Sequence, residues 1–301
     1  MIAPDFLDEL DRFDASLSRL ADATRRGEQR SRRVGEGLTF SDYRNYVPGD
    51  DTRLIDWKVY ARTGDLYVKQ FESERNLTVH VLLDASASMD FGERGTGGGS
   101  SDDGRDGRTD ATHKFEYAAK LGLGFCALAA AENNDFRFST FGETFDRIDT
   151  GTSTRGDVLR VVELLNETDP SGEADFERAL ADYAGTIDSR SVVLVASDFL
   201  GDVDAIETGL DALSKNDVVL AHVVAPDERD PPTRADTIFK GVETARSIRT
   251  YFGNRKRVEY RQRLRAHVDE LAAVARRLQA SHVRVDTDRD FFDAFAETWV
   301  E

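Results

Sequence analysis

The apolar positions along the chain follow two different periods. Residues 4–26 carry Phe6, Leu7, Leu10, Phe13, Leu17 and Leu20 at helical spacing with acids between them, which predicts one amphipathic helix. From residue 78 continuous apolar runs take over: TVHVLLDAS, SVVLVASDF and DVVLAHVVAP. Runs of Val, Leu and Ile without alternation fit strands buried on both faces. Between them KFEYAAKLGLGFCALAAAEN, GDVLRVVELLNE, DFERALADYAGTI and DVDAIETGLDALSKN read as helices, and DFRFSTFG with ETFDRID as a strand pair. Alternating strands and helices imply parallel crossovers, so the expected class is α/β, a three-layer αβα sandwich on a mostly parallel sheet. Further on, TIFKGVETARSIRTYF reads as a hairpin turning near Glu243-Thr244, NRKRVEYRQRLRAHVDELAAVARRLQA as a long basic helix, HVRVDTDR as a last strand and DFFDAFAETWV as a last helix.

The segment before residue 78 is denser in short elements. The expected division is therefore an N-terminal helix plus small α+β module over 1–77 and an α/β domain over 78–301. PGDDTRLIDWKVYARTG reads as a turn at Pro48-Gly49, a helix starting at Asp50 or Asp51 and running through Trp57, and a stop at Gly64,. In that reading Arg53 and Asp56 form ion pairs and Trp57 packs against the sheet; the alternative is a docking surface for a partner. DLYVKQFE follows as a strand. The Gly-, Ser- and Asp-rich stretch at about 91–112 is nearly free of apolar residues, which predicts a disordered insert.

Composition narrows the class. The 301 residues are 40% hydrophobic, enough for a sizeable core, and contain no apolar run long enough to span a membrane,. The N-terminus lacks the basic-then-apolar order of a secretion signal, so the expected setting is cytoplasmic. The single cysteine, Cys126, lies in an apolar helical run and reads as packing,. Acids outnumber bases 57 to 40, with 37 Asp and only seven Lys. That bias resembles halophilic proteins of high-salt cytoplasms, where carboxylates keep the surface hydrated and the Debye length is about 3 Å. A net charge of −17 argues against nucleic acid as a partner, since that needs a dominant basic surface. The basic patch Arg25–Arg33, within RRGEQRSRR, reads as a solvated linker.

The candidate chemistry lies at strand ends. Asp84 and Asp198 each close an apolar run, and ligands of open parallel sheets collect outside the carboxyl ends of the strands. Asp84, Ser86 and Ser88 alternate on the turn leaving the first run, so their oxygens can face one point. Carboxylate and hydroxyl oxygens suit a hard cation such as Mg2+. The plainer reading is a turn in which the serines cap a helix and Asp84 binds backbone amides. The five histidines are scattered, and His80 and His222 fall inside apolar strands, so they read as core residues. No GxSxG or phosphate-cradling GxxxxGK[ST] motif is present,.

DASAS, Asp84 to Ser88, resembles the DxSxS signature of von Willebrand factor A domains, whose metal-ion-dependent adhesion site binds magnesium. SDF, Ser197 to Phe199, resembles the loop that supplies a second aspartate. More widely, GLTFSDYRNYVPGDDTRLIDWKVYARTGDLYVKQFESERNLTVHVLLDASASM, Gly35 to Met89, closely resembles the signature of the family called domain of unknown function 58 (DUF58). That family joins a short upstream module to a von Willebrand A-like domain. The resemblance implies metal ligands at Asp84, Ser86, Ser88 and Asp198, and a MoxR-type AAA+ ATPase as partner. The sequence departs from the family pattern in one place: SGEADF puts Ala174 where the resemblance implies a threonine ligand, with Glu173 or Asp175 as substitutes.

Three classes of function follow. The first is a non-enzymatic protein-binding adaptor, using an adhesion-type metal site and acting with the ATPase in complex assembly or maturation. The second is a metal-free scaffold. The third is a Mg-dependent phosphoester hydrolase, for which the sequence offers no evident base or nucleophile.

Overall fold

In a computed structural model, the described residues are 2–3, 5–13, 38–47, 55–63, 65–73, 77–92, 113–231, 237–240, 247–250 and 253–300. The chain divides into two compact units, Ser18–Asn76 and a larger one made of Met1–Leu17 with Leu77–Glu301.

The larger unit is built on a six-stranded sheet. In chain order its strands are β3 (Thr78–Asp84), β4 (Asp135–Phe141), β5 (Phe145–Arg147), β6 (Val192–Ser197), β7 (Asp217–Val224) and β10 (Ser281–Asp286). Their spatial order is β10-β7-β6-β3-β4-β5. Every pairing is parallel except the short β4–β5 hairpin. The expected three-layer sandwich is thus the observed one. Successive strand residues feed opposite faces: Val79, Val81 and Leu83 enter one apolar layer and Leu82 the other, as strand geometry requires. Helices α3 (Lys114–Ala131), α4 (Arg155–Glu167) and α9 (Phe291–Val300) cover the first face. Helices α5 (Phe176–Ala184), α6 (Val203–Ala212) and α8 (Asn254–Arg277) cover the second. A short helix, α7 (Pro226–Arg229), follows β7, and the pair β8 (Thr237–Lys240) and β9 (Ser247–Thr250) is antiparallel, as the hairpin pattern predicts. The predicted turn at Glu243-Thr244 lies outside the described residues, as does most of the polar insert.

The N-terminal helix, α1 (residues 5–13), corrects the expected division at residue 77. Its apolar stripe is buried in the larger unit: Phe6 meets Phe291 edge-on at 5.1 Å and Phe13 lies 5.0 Å from Phe292. The Ile2 amide also donates to Asn166 Oδ1 at 2.8 Å. Burial of four apolar side chains here, Ile2, Phe6, Leu7 and Leu10, outweighs sequence proximity to the module that follows.

The smaller unit contains β1 (Leu38–Asn45) paired antiparallel with β2 (Tyr67–Ser73), and α2 (Trp57–Thr63). The expected helix start at Asp50 or Asp51 lies outside the described residues, and α2 itself begins at Trp57. Ile55 is still extended, bridging Val68, and the cap is Asp56, whose Oδ1 accepts from the amides of Lys58 and Val59 at 2.9 and 3.2 Å,. Trp57 does not pack against a sheet as expected: it is 59% exposed and touches Tyr60 edge-on at 6.1 Å.

Helix α3 lies close against its neighbours because it carries glycines where side chains would collide. A Cβ on Gly124 would stand 2.4 Å from Phe295 Cε2, and one on Gly122 would stand 2.7 Å from Val81. Intrinsic propensity favours alanine over glycine in a helix by about 1 kcal/mol, but overpacking a fixed aromatic ring costs about 1–3 kcal/mol. Gly124→Ala is therefore expected to lower the unfolding free energy in a denaturant titration. A more stable variant would mean that α3 and α9 do not meet as described.

Candidate functional site

Three neighbouring strands, β3, β6 and β7, end side by side, and each delivers an acid to the same end of the sheet. Asp84 is the last residue of β3, Asp198 follows β6, and Glu228 lies in α7 just past β7. The register pairs Leu83 with Ala196, which sets Asp84 level with Ser197. The two aspartates are inside the protein, Asp84 1% and Asp198 3% exposed, while Glu228 is half-buried.

Each acid is held by specific donors. Asp84 Oδ1 accepts from the Ser86 amide at 2.8 Å and Oδ2 from the Ser197 hydroxyl at 2.5 Å. The hydroxyls of Ser86 and Ser88 are 3.0 Å apart and bond to each other. Asp198 Oδ1 accepts from the Leu200 amide at 3.0 Å. Phe199, between them, has φ of 49°, a backbone state that a bulky residue rarely adopts. Its amide donates to Ser197 Oγ at 2.8 Å and its carbonyl lies 2.8 Å from His267 Nε2. Its buried ring stacks near Phe176 and meets His222 edge-on. These contacts hold the left-handed residue, and that turn presents Asp198 at the end of β6.

A residue that the sequence pattern did not single out joins the acids. Lys114, the first residue of α3, is 0% exposed. Its Nζ donates to Asp198 Oδ2 at 2.6 Å, to Glu228 Oε1 at 2.7 Å and to the Ser88 carbonyl at 3.0 Å. An ammonium has three N–H groups, and these three acceptors use them all. Glu228 is fixed in turn by the Ala225 amide, which donates to its Oε2 at 3.0 Å. Where the chain leaves and rejoins around the insert, the Lys114 amide donates to the Phe91 carbonyl at 2.9 Å.

The four residues expected to hold a metal, Asp84, Ser86, Ser88 and Asp198, are thus gathered at one end of the sheet. As folded they do not form a shell for Mg2+, which wants six oxygens with no competing cation among them. One oxygen of Asp198 is bound to an ammonium, and the two serine hydroxyls bond to each other. The loop expected to bring a threonine does reach the site, since the Ala87 amide donates to the Gly172 carbonyl at 3.0 Å and the Ser171 amide to the Ala85 carbonyl at 2.8 Å. It brings Ala174, which packs on the apolar layer. Asp175 is engaged as the cap of α5, its Oδ1 accepting from the Arg178 amide at 3.0 Å. Among the described residues, no three or more His, Cys, Asp or Glu side chains are grouped as metal ligands.

The sequence profile described as "Protein of unknown function DUF58" matches residues 42–270. The chain belongs to the DUF58 family. Rv1480 of Mycobacterium tuberculosis, an uncharacterized protein, is 24% identical over 260 residues, which cover 85% of this chain and 77% of Rv1480. Among solved structures, an aerotolerance-related membrane protein from Bacteroides fragilis aligns with a TM-score of 0.44 and 17% identity, over 74% of this chain and 98% of that one. The VWA domain of SpRpn10 aligns with a TM-score of 0.41 and 10% identity, over 73% of this chain and 94% of that one.

In this DUF58 protein the histidines have structural partners. His80 Nδ1 is 2.8 Å from the Tyr183 hydroxyl, His222 and His282 lie 3.4 Å apart on adjacent strands, and His113 meets Asp90 at 3.1 Å. The core reading of His80 and His222 therefore agrees with their positions. Burial, with the positive charge of Arg137 nearby, pushes His80 down to about 4, so it stays neutral.

The electrostatics of the acids differ. Burial, reinforced by the charge of Asp198, pushes Asp84 up from 3.8 to about 6, against the hydrogen bonds from Ser197 and Ser86. Burial alone would lower Lys114, but Asp198 and Glu228 outweigh it and hold the ammonium above its ordinary range. Burial also lifts Glu228, and Lys114 offsets this only in part. An acid whose folded pKa lies above its unfolded value binds its proton more tightly when folded. Its ionisation costs stability progressively from about pH 4 to about pH 6, and the whole cost remains above that. Replacing Asp84 with Asn removes the cost. Asp84→Asn is expected to raise the unfolding free energy at neutral pH by up to about 3 kcal/mol, with the gain shrinking toward zero near pH 4. An equal effect at both pH values would show that Asp84 is not strained by its charge.

Proposed function

We propose that this DUF58 protein is a non-enzymatic protein-interaction module that docks a partner at the carboxyl end of its parallel sheet. The observation that carries this reading is the exposed rim of Glu173, Leu200 and Gly201 around the closed cluster at that end, where open α/β sheets hold their ligands. The site is filled by its own hydrogen bonds, which favours a recognition surface over a reaction centre. Around it lies a mixed rim: Leu200 is 43% exposed, and Glu173 and Gly201 face solvent. An apolar contact ringed by polar groups is the usual anatomy of a docking patch.

The partner proposed is a MoxR-type AAA+ ATPase, in keeping with the family resemblance, with the protein acting in the cytoplasm as an adaptor in assembling or maturing other complexes. No described helix is long and apolar enough to cross a membrane, which is compatible with that setting. The net charge of −17 supports a protein partner over nucleic acid. The closed hydrogen-bond network favours the metal-free form of this reading over one that depends on Mg2+.

The test is affinity for the purified ATPase. Leu200→Asp and Glu173→Arg are expected to weaken binding tenfold or more, about 1.4 kcal/mol. Lys215→Glu, at the opposite end of the strands, should leave it unchanged. Full affinity in both rim variants, or equal loss in the control, would refute the docking surface. Turnover of phosphoesters with added Mg2+ would instead favour the hydrolase.

A further inference from the structure

The cation expected between Asp84 and Asp198 has a rival already in place. We propose that the ammonium of Lys114 is a tethered cation standing in for the divalent ion of an adhesion-type site, so that this end of the sheet is metal-independent and permanently closed. Three observations converge on it. Lys114 Nζ bonds the second aspartate that the SDF resemblance expects on the metal, Asp198, at 2.6 Å. It also bonds the Ser88 carbonyl at 3.0 Å, on the turn that supplies the DxSxS hydroxyls. And the third loop arrives with Ala174, which has no oxygen in its side chain to give.

The donor count explains the exchange. A divalent ion held by carboxylates and hydroxyls keeps a coordination position open for a partner's acid. An ammonium carries one charge and three N–H groups, and here each has its acceptor. The chain supplies its own cation here, shared between Asp198 and Glu228 of α7. Placing a lysine at the first residue of a helix runs against the helix dipole, and burying it costs desolvation. Both costs are offset by two carboxylates within 2.7 Å. A divalent ion on Asp198 Oδ2 could enter only by displacing Lys114 Nζ from it.

This inference shares a site with the docking proposal but rests on it only for one consequence, that partner binding resists chelators. It is therefore tested on the chain alone. Mn2+ is titrated into the whole 301-residue chain in molar KCl and followed by electron paramagnetic resonance. Melting temperatures are measured with Mg2+ or EDTA at constant ionic strength. The wild-type protein is expected to show no stoichiometric Mn2+ and no melting shift. Lys114→Ala, purified in Mg2+ throughout, should melt lower than wild type without metal. It should bind one Mn2+ per chain and melt several degrees higher when Mg2+ is restored, and Asp198→Asn added to it should abolish both effects. One Mn2+ per wild-type chain, lost in Asp84→Asn, would overturn the proposal. So would a folded Lys114→Ala protein that ignores both metals. Should Lys114→Ala fail to fold even in Mg2+, the wild-type titration alone decides.

Discussion

A single buried ion cluster organises the carboxyl end of the sheet. Lys114 reaches from the head of α3 to acids contributed by β6 and β7 and to the turn after β3. It thereby joins one covering helix to three strands. Buried charges are tolerated only when paired and fully hydrogen-bonded, so the cluster dictates the surrounding geometry. The left-handed turn at Phe199, the α7 helix that fixes Glu228 and the close approach of residues 91 and 114 all serve to bring one ammonium to its acceptors.

The rest of the fold makes that cluster possible. A parallel sheet buried on both faces fixes strand ends at a common level, and β3, β6 and β7 lie side by side in it. Two apolar layers, one under α3, α4 and α9 and the other under α5, α6 and α8, exclude water from the strand ends. The low polarity that raises Asp84 toward 6 is the same property that makes the Lys114 bonds strong. Stability and site are thus coupled: the end of the sheet where ligands usually enter is here closed by the chain's own charges.

Much of this was legible in the sequence. Short runs rich in Val and Leu such as VHVLL and VVLVAS fit two-sided strands, and their alternation with helices leaves few topologies. Asp84 and Asp198 were identifiable because both fall one step beyond such a run. Lys114 was not, because a lysine after a polar insert looks solvated, and only the placement of α3 over the sheet buries it. Glu228, after Ala-Pro, looks like an ordinary helix-start acid. The expected helix start at Asp50 or Asp51 lies outside the described residues; the bridge from Ile55 to Val68 keeps Ile55 extended, and Asp56 caps the helix that follows. The grouping of residues 1–17 with the larger unit depends on Phe291 and Phe292, nearly the whole chain away.

What occupies the space beside Asp198 decides whether this end of the sheet is closed by the chain itself. Anomalous diffraction from crystals grown in Mn2+ measures this directly. A closed site shows no manganese peak there and Lys114 Nζ bonded to Asp198, Glu228 and the Ser88 carbonyl. A manganese peak between Asp84 and Asp198, with the lysine turned away, would contradict it.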